Sequence, residues 1–179
     1  HSNAQIVSDK HEIKVLQLAD VARLEGEKVE LLEGKGSLKI SDTLGQIMDK
    51  LGMDPVDELE LNINGKEIKI HKDKSLNSLM EAINNSDAGV KISYSSFLEK
   101  FTMTSKAMGE NSKIEITEGA EFFQKLGLDT SEVAHGKNAI FQLDGKLVDD
   151  HNSNFFTADG VVYTLRGTSV EDFDPDGDI

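Results

Sequence analysis

The chain is 179 residues long and carries 33 Asp and Glu against 19 Lys and Arg, a formal net charge of −14 at pH 7. It has no Cys and no Trp, so disulfide scaffolds and thiolate metal sites are excluded, and no apolar run approaches the roughly 20 residues of a membrane-spanning helix. An acidic excess of this size is repelled by phosphate backbones and speaks against a nucleic-acid partner. Aromatics are 6% of the chain, few for lining a ligand pocket, and this composition leans towards a structural or assembly protein.

The opening His1-Ser2-Asn3-Ala4 reads as an expression-tag remainder and is set aside. From Glu12 to Leu24 apolar residues alternate on both faces: Ile13, Val15, Ala19 and Val21 on one, Leu16, Leu18, Ala22 and Leu24 on the other. That pattern predicts a central strand covered on both sides, running into a loop near Asp20. Residues 25–36 read as a loop or edge hairpin, and Ser37 to Ile40 as a short strand. Leu44, Ile47, Met48 and Leu51 then recur at helical spacing. Thr43 and Gln46 form a capping box at the start, and Gly52 stands where a C-terminal cap belongs.

The runs LELNI and KEIKI alternate on either side of Asn64-Gly65 and predict a hairpin over Leu59 to Ile70. Both central residues of a type I′ turn need positive φ, which Asn-Gly supplies at low cost. Ser75 caps a second helix with the stripe Leu76, Leu79, Met80 and Ile83. Val90 to Tyr94 and Phe101 to Ser105 form a second hairpin, Lys113 to Ile116 a strand, and Ala120 to Leu126 a short helix stopped by Gly127. Beyond Gly136 only strands are expected, punctuated by Asp144-Gly145 and Asp159-Gly160. The acid-rich tail from Glu171 to Ile179 has no packing period.

The fold class is therefore α+β, mainly β. An antiparallel, strand-rich domain is expected from both chain ends, residues 9–35 and 135–170, with a mixed domain inserted over 36–134.

Reactive motifs are sparse. The His residues at 1, 11, 71, 135 and 151 never fall at H-x-x-x-H spacing, and no G-x-S-x-G elbow occurs. The Gly-Lys pairs lack the remainder of a phosphate loop and read as hairpin flanks. Asp57-Glu58 and Asp149-Asp150 read as solvated acidic surface rather than an acid/base pair. Asp172, Asp174 and Asp176 with Gly177 match the first part of a calcium loop, though no bidentate acid follows at its twelfth position. Calcium binding and a plain acidic tail both remain open there. Asn84-Asn85-Ser86 fits a glycosylation acceptor but reads as a helix cap and turn. No catalytic, cofactor-binding or metal-ligating residue is nominated, no cofactor is expected, and the chain is read as not an enzyme.

Three stretches carry a resemblance. Ile83-Asn84, Gly89-Val90 and Thr104-Ser105 are similar to the flagellin hook IN motif: a helix ending in I-N, a strand led by Gly-Val, a turn, and a strand closing on T-S. Ala139, Phe141, Asp144-Gly145, Ser153-Asn154, Asp159-Gly160-Val161, Leu165 and Gly167 resemble the segment that follows it in bacterial flagellar filament cap proteins, the hook-associated protein two family. Val15 and Gln17-Leu18-Ala19 resemble the strand that opens the same region. Departures from the family pattern are Asn138 and Asp149-Asp150-His151.

The resemblance implies the central plate domains of a distal filament cap. Such a protein is exported without a cleaved signal peptide and lies outside the cell at the flagellum tip. Its partners are flagellin subunits and, in the full-length protein, further copies of itself in a ring. It works by binding and promotes flagellin insertion and filament elongation. Two other readings stay open: an inserted outer domain of a flagellin or other filament protein, and an extracellular adhesin module binding glycan through Phe155-Phe156 or binding calcium. A hydrolase built on the acidic pairs is the least supported.

Overall fold

The structure is a computed structural model and describes residues 5–7 and 11–169. Residues 1–4, the tail 171–179 and its calcium-loop pattern lie outside the described residues. In chain order the elements are β1 (Gln5–Val7), β2 (Glu12–Gln17), β3 (Val21–Glu25), α1 (Leu44–Leu51), β4 (Glu58–Ile63), β5 (Lys66–His71), α2 (Leu76–Asn85), β6 (Val90–Ser95), β7 (Lys100–Met108), β8 (Ile116–Glu118), α3 (Ala120–Lys125), β9 (Ala139–Leu143), β10 (Lys146–His151), β11 (Phe155–Ala158) and β12 (Val161–Thr164). The expected class, α+β and mainly antiparallel β, is what the chain adopts.

By internal contacts the chain divides into two units: 1–22 with 107–112 and 135–179, and 23–106 with 113–134. The sequence grouped 23–35 with the chain ends, but those residues are hydrogen-bonded into the second unit. Gly26 N–H donates to the Phe101 carbonyl (2.8 Å), Glu27 N–H to Gly127 (2.9 Å), Val29 N–H to Glu99 (2.9 Å) and Leu32 N–H to Lys50 (2.8 Å).

The first unit holds a four-stranded sheet, order β1-β2-β9-β10, and the two-stranded sheet β11-β12. Its core comprises Ile13, Val15, Ala19, Ala139, Phe141, Tyr163 and Leu165. Three rings form a column there. Phe156 stacks on Phe141 at 4.8 Å and on Tyr163 at 5.1 Å, which fastens the hairpin to the larger sheet. Such pairs contribute about 0.5–1.5 kcal/mol each beyond area burial, so these three aromatics serve packing.

The second unit contains a β3-β7-β6 sheet and a β5-β4-β8 sheet. Its apolar stripes are those the sequence shows: Leu44, Ile47, Met48 and Leu51 are buried from α1, and Leu76, Leu79, Met80 and Ile83 from α2. Thr43 and Gln46 make the reciprocal capping box, with Gly52 in the left-handed region behind α1. The turn Asn64-Gly65 has φ of 52° and 82°, as a type I′ hairpin needs.

Three expected strands differ. Glu12 to Leu24 is two strands in two sheets, β2 and β3, interrupted at Leu18–Asp20. A bulge between Val15 and Gln17 shifts the pairing with β9, and the buried side then changes from Val15 to Leu16. Alternation continued through the break, so periodicity did not reveal it.

Ser37 to Ile40 is not a strand. The Asp42 carboxylate accepts the Lys39 N–H (3.0 Å), folding the segment into a turn. That turn presents the Ile40 and Asp42 carbonyls to the first N–H groups of α2, at Asn77 and Leu76 (2.9 Å each). The strand expected at Lys113 to Ile116 lies instead at Ile116–Glu118. Ahead of it the Asn64 side chain takes the place of a strand, donating to the Lys113 carbonyl (2.9 Å) and accepting the Glu115 N–H (2.8 Å).

Candidate interaction surfaces

The side chains with chemical potential are dispersed. No group of three or more His, Asp or Glu among the described residues is arranged to hold a metal ion. Asp57 pairs with Lys72 (3.0 Å), which holds its carboxyl below the usual range, and Glu58 is exposed on β4. Asp149 and Asp150 are adjacent exposed residues of β10, at an irregularity in its pairing with β9. His71 lies beside Asp73, His135 is exposed, and His151 contacts the Phe155 carbonyl. Among the described histidines, only His11 is held between two acids, Asp144 and Asp159.

An acid pair that sequence reading passed over spans β4 and β8. Burial, and then a hydrogen bond with Glu60, raises the Glu118 carboxyl above its usual range. The residues are far apart in sequence, and only strand pairing brings them together.

Three asparagine side chains act as short pieces of β-strand. Asn84 donates to the Ile92 carbonyl (3.0 Å) and accepts the Ile92 N–H (2.7 Å), pinning the end of α2 to β6. Asn154 does the same to Ala19, accepting its N–H (2.7 Å) and donating to its carbonyl (3.1 Å). Asn64 bonds to the loop before β8 and also donates to the Ala88 carbonyl (2.9 Å). The amide carries a donor and an acceptor side by side, as a strand edge does. The cap and turn expected of Asn84-Asn85-Ser86 is supplied by Ser86, whose N–H and hydroxyl both bond to the Ile83 carbonyl, while Asn84 reaches across to β6. Asn84 and Asn154 are thus the structural content of the I-N and Ser-Asn matches.

Several large apolar side chains are exposed. Phe155 and Phe156 diverge: Phe156 lies in the ring column, whereas Phe155 is 57% exposed on the outer face of β11. Val162, 68% exposed, extends that face, because it pairs with Thr157 while Phe155 pairs with Thr164. In the second unit the β6–β7 loop projects Phe97, 94% exposed, and Leu98. The sequence treated that loop as a connector. Two large apolar residues in a hairpin loop, where turn formers are usual, were the available signal. The grooves are shallow and open. One of about 550 Å³ on the second unit is lined by Arg23, Glu25, Glu27, Gln124, Asp129 and Glu132. Another of about 300 Å³ includes Met48, Met53, Val56 and Phe122.

No family model matches the chain. It is 32% identical over 117 residues to flagellar hook-associated protein 2 of Thermotoga maritima, an overlap of 63% of this chain and 19% of that protein. The chain thus spans about a fifth of that relative's length. Among solved structures it is similar to the D2-D3 domains of the flagellar cap protein FliD. For Serratia marcescens the TM-score is 0.57 at 21% identity, covering 96% of this chain and 92% of that one. For Escherichia coli it is 0.59 at 18% identity, covering 93% and 86%. The fold is that of flagellar cap D2-D3 domains.

Proposed function

We propose that this chain is the outer-domain portion of a flagellar filament cap protein. It works outside the cell at the distal tip and promotes flagellin insertion by offering binding surfaces rather than by chemistry. The observation that carries the reading is the agreement of two likenesses, 32% identity to a hook-associated protein 2 and a cap-protein D2-D3 fold over nearly the whole chain. Its two contact units correspond, in this reading, to the two domains of that fold.

The physical character of the chain supports it. A subunit that must travel unfolded through a narrow channel is hindered by disulfides, and there is no Cys. Turn instructions at Asn64-Gly65, Asp144-Gly145 and Asp159-Gly160 are local and favour rapid refolding. Exposed Phe97, Phe155 and Val162 provide modest contacts to flagellin or to neighbouring copies without one large apolar seam.

Gold-labelled antibodies raised against this chain and applied to intact cells test the proposal. Label confined to filament tips is the expected result. Label along the filament shaft would assign the chain to a flagellin-like subunit instead, and label elsewhere on the cell surface to an adhesin.

A further inference from the structure

Both ring nitrogens of His11 lie 2.7 Å from a carboxylate oxygen, Nδ1 from Asp144 Oδ2 and Nε2 from Asp159 Oδ2. A neutral imidazole has one N–H and one lone pair, and an ionised carboxylate only accepts. Two such contacts therefore require an N–H on each nitrogen, which is the imidazolium. The three residues come from distant parts of the chain. His11 precedes β2, Asp144 opens the β9–β10 turn, and Asp159 opens the β11–β12 turn. Each Asp sits at positive φ, 52° and 50°, at the first central position of a tight turn.

The two acids are not equivalent. Asp144 is fixed to the start of β2: its Oδ1 accepts the Glu12 N–H (2.8 Å), and its own N–H donates to the Glu12 carbonyl (2.8 Å). Asp159 stands on a hairpin tip with its side chain 58% exposed, while the imidazole between them is only 13% exposed. The base of that hairpin is held independently, by Asn154 on Ala19 and by Phe156 and Tyr163 in the ring column.

We propose that His11 is a proton-operated clasp. Protonated, it ties the tip of the β11–β12 hairpin to the β9–β10 turn and the start of β2; deprotonated, it keeps one carboxylate and releases the other, freeing the tip that carries Val161 and Val162. Among the described residues, the groups facing the ring include Asp144, with Lys146 acting on it from β10, Asp159 from the hairpin turn, the edge-on Tyr163 ring at 6.0 Å from β12, and the Glu12 backbone from its own strand.

The working range follows from the signs. The hydrogen bond to Asp144 is the largest influence; burial opposes it, Asp159 and the charge of both acids add to it, and the imidazolium persists above the ordinary 6.5. A folded-state pKa raised in this way gives a clasp fully engaged below about 6.5 and lost as pH rises through the folded value. At the acid end, the Glu12 N–H and then His11 hold Asp144 below the usual carboxylate range, so that tie survives into moderately acidic solution.

The test is an NMR pH titration of the whole chain from acidic to alkaline pH. It follows the His11 ring carbons, the Gly160 amide and the heteronuclear NOEs of residues 158–161. The expected result is a His11 midpoint above 6.5, a Gly160 shift with the same midpoint, and NOEs that fall above it. In Asp159→Asn, which keeps a residue suited to the turn, the His11 midpoint should drop and Gly160 should no longer follow it. Asp159 is exposed, so that substitution leaves the fold in place. A His11 midpoint at or below 6.5 would overturn the proposal, as would tip NOEs that stay constant while His11 titrates.

Discussion

Replacing Asn84 with Ala removes one side-chain amide that serves both backbone groups of Ile92. Ile92 is 3% exposed, so its N–H and carbonyl would be left largely without water. Each lost hydrogen bond is worth about 1 kcal/mol net, and a buried group left unpaired costs about 1–3 kcal/mol. Two groups set the loss at about 2–4 kcal/mol. The better helix propensity of Ala returns roughly 0.5 kcal/mol, leaving about 1.5–3.5 kcal/mol. For a unit of this size one kcal/mol moves Tm by roughly 4–8 °C, so a fall of roughly 6–28 °C is expected. Asn85→Ala is the paired control. Asn85 is the next residue of the same helix and is exposed, so its replacement should leave Tm unchanged or slightly raised. Thermal and urea unfolding followed by circular dichroism measure both. If the two variants unfold within about 2 °C of each other, strand-mimicry by Asn84 is not what the motif encodes.

Lys50 donates to the Asp42 carboxylate and the Ser37 carbonyl, both at 2.7 Å, in a setting where the acid's side chain is only 12% exposed. Lys50→Met should cost about 2–4 kcal/mol in urea unfolding, because it leaves a nearly buried carboxylate short of its counter-charge. Burial pushes the Asp42 carboxyl up, but the hydrogen bonds from Lys50 and the Lys39 N–H outweigh it and the net direction is down. This contribution is present above the ordinary value of 3.8 and lost as pH falls through the folded value, so Lys50→Met should flatten the acid limb of the stability profile. Gly127 has φ +87°, and a Cβ there would lie 2.4 Å from the Glu27 carbonyl oxygen. Gly127→Ala should lower stability by about 3 kcal/mol or more, part of it the left-handed backbone cost of about 1–2 kcal/mol; an unchanged midpoint of unfolding would contradict the close approach. The chain on its own, with a net charge of −14, should sediment as a monomer at micromolar concentration, and a tight ring would refute that.

What the sequence determined alone is what a few neighbouring residues control. Asn64-Gly65, Asp144-Gly145 and Asp159-Gly160 specify positive φ where hairpins reverse. Thr43 with Gln46, and Ser75, specify where helices start, and the apolar stripes of α1 and α2 specify the faces they bury. The matches that led to a cap-like fold were equally visible, although what Asn84 and Asn154 do within them was not. Tertiary structure decided the rest. It split Glu12 to Leu24 between two sheets, turned Ser37 to Ile40 into a cap for another helix, sent Phe156 inward and Phe155 outward, and brought His11 to two acids more than a hundred residues away. The reason is the range of the forces involved. Backbone torsion and periodicity act over a few residues and are written locally, whereas a buried N–H such as that of Ala19 takes whichever acceptor the completed fold brings within reach, here the side chain of Asn154.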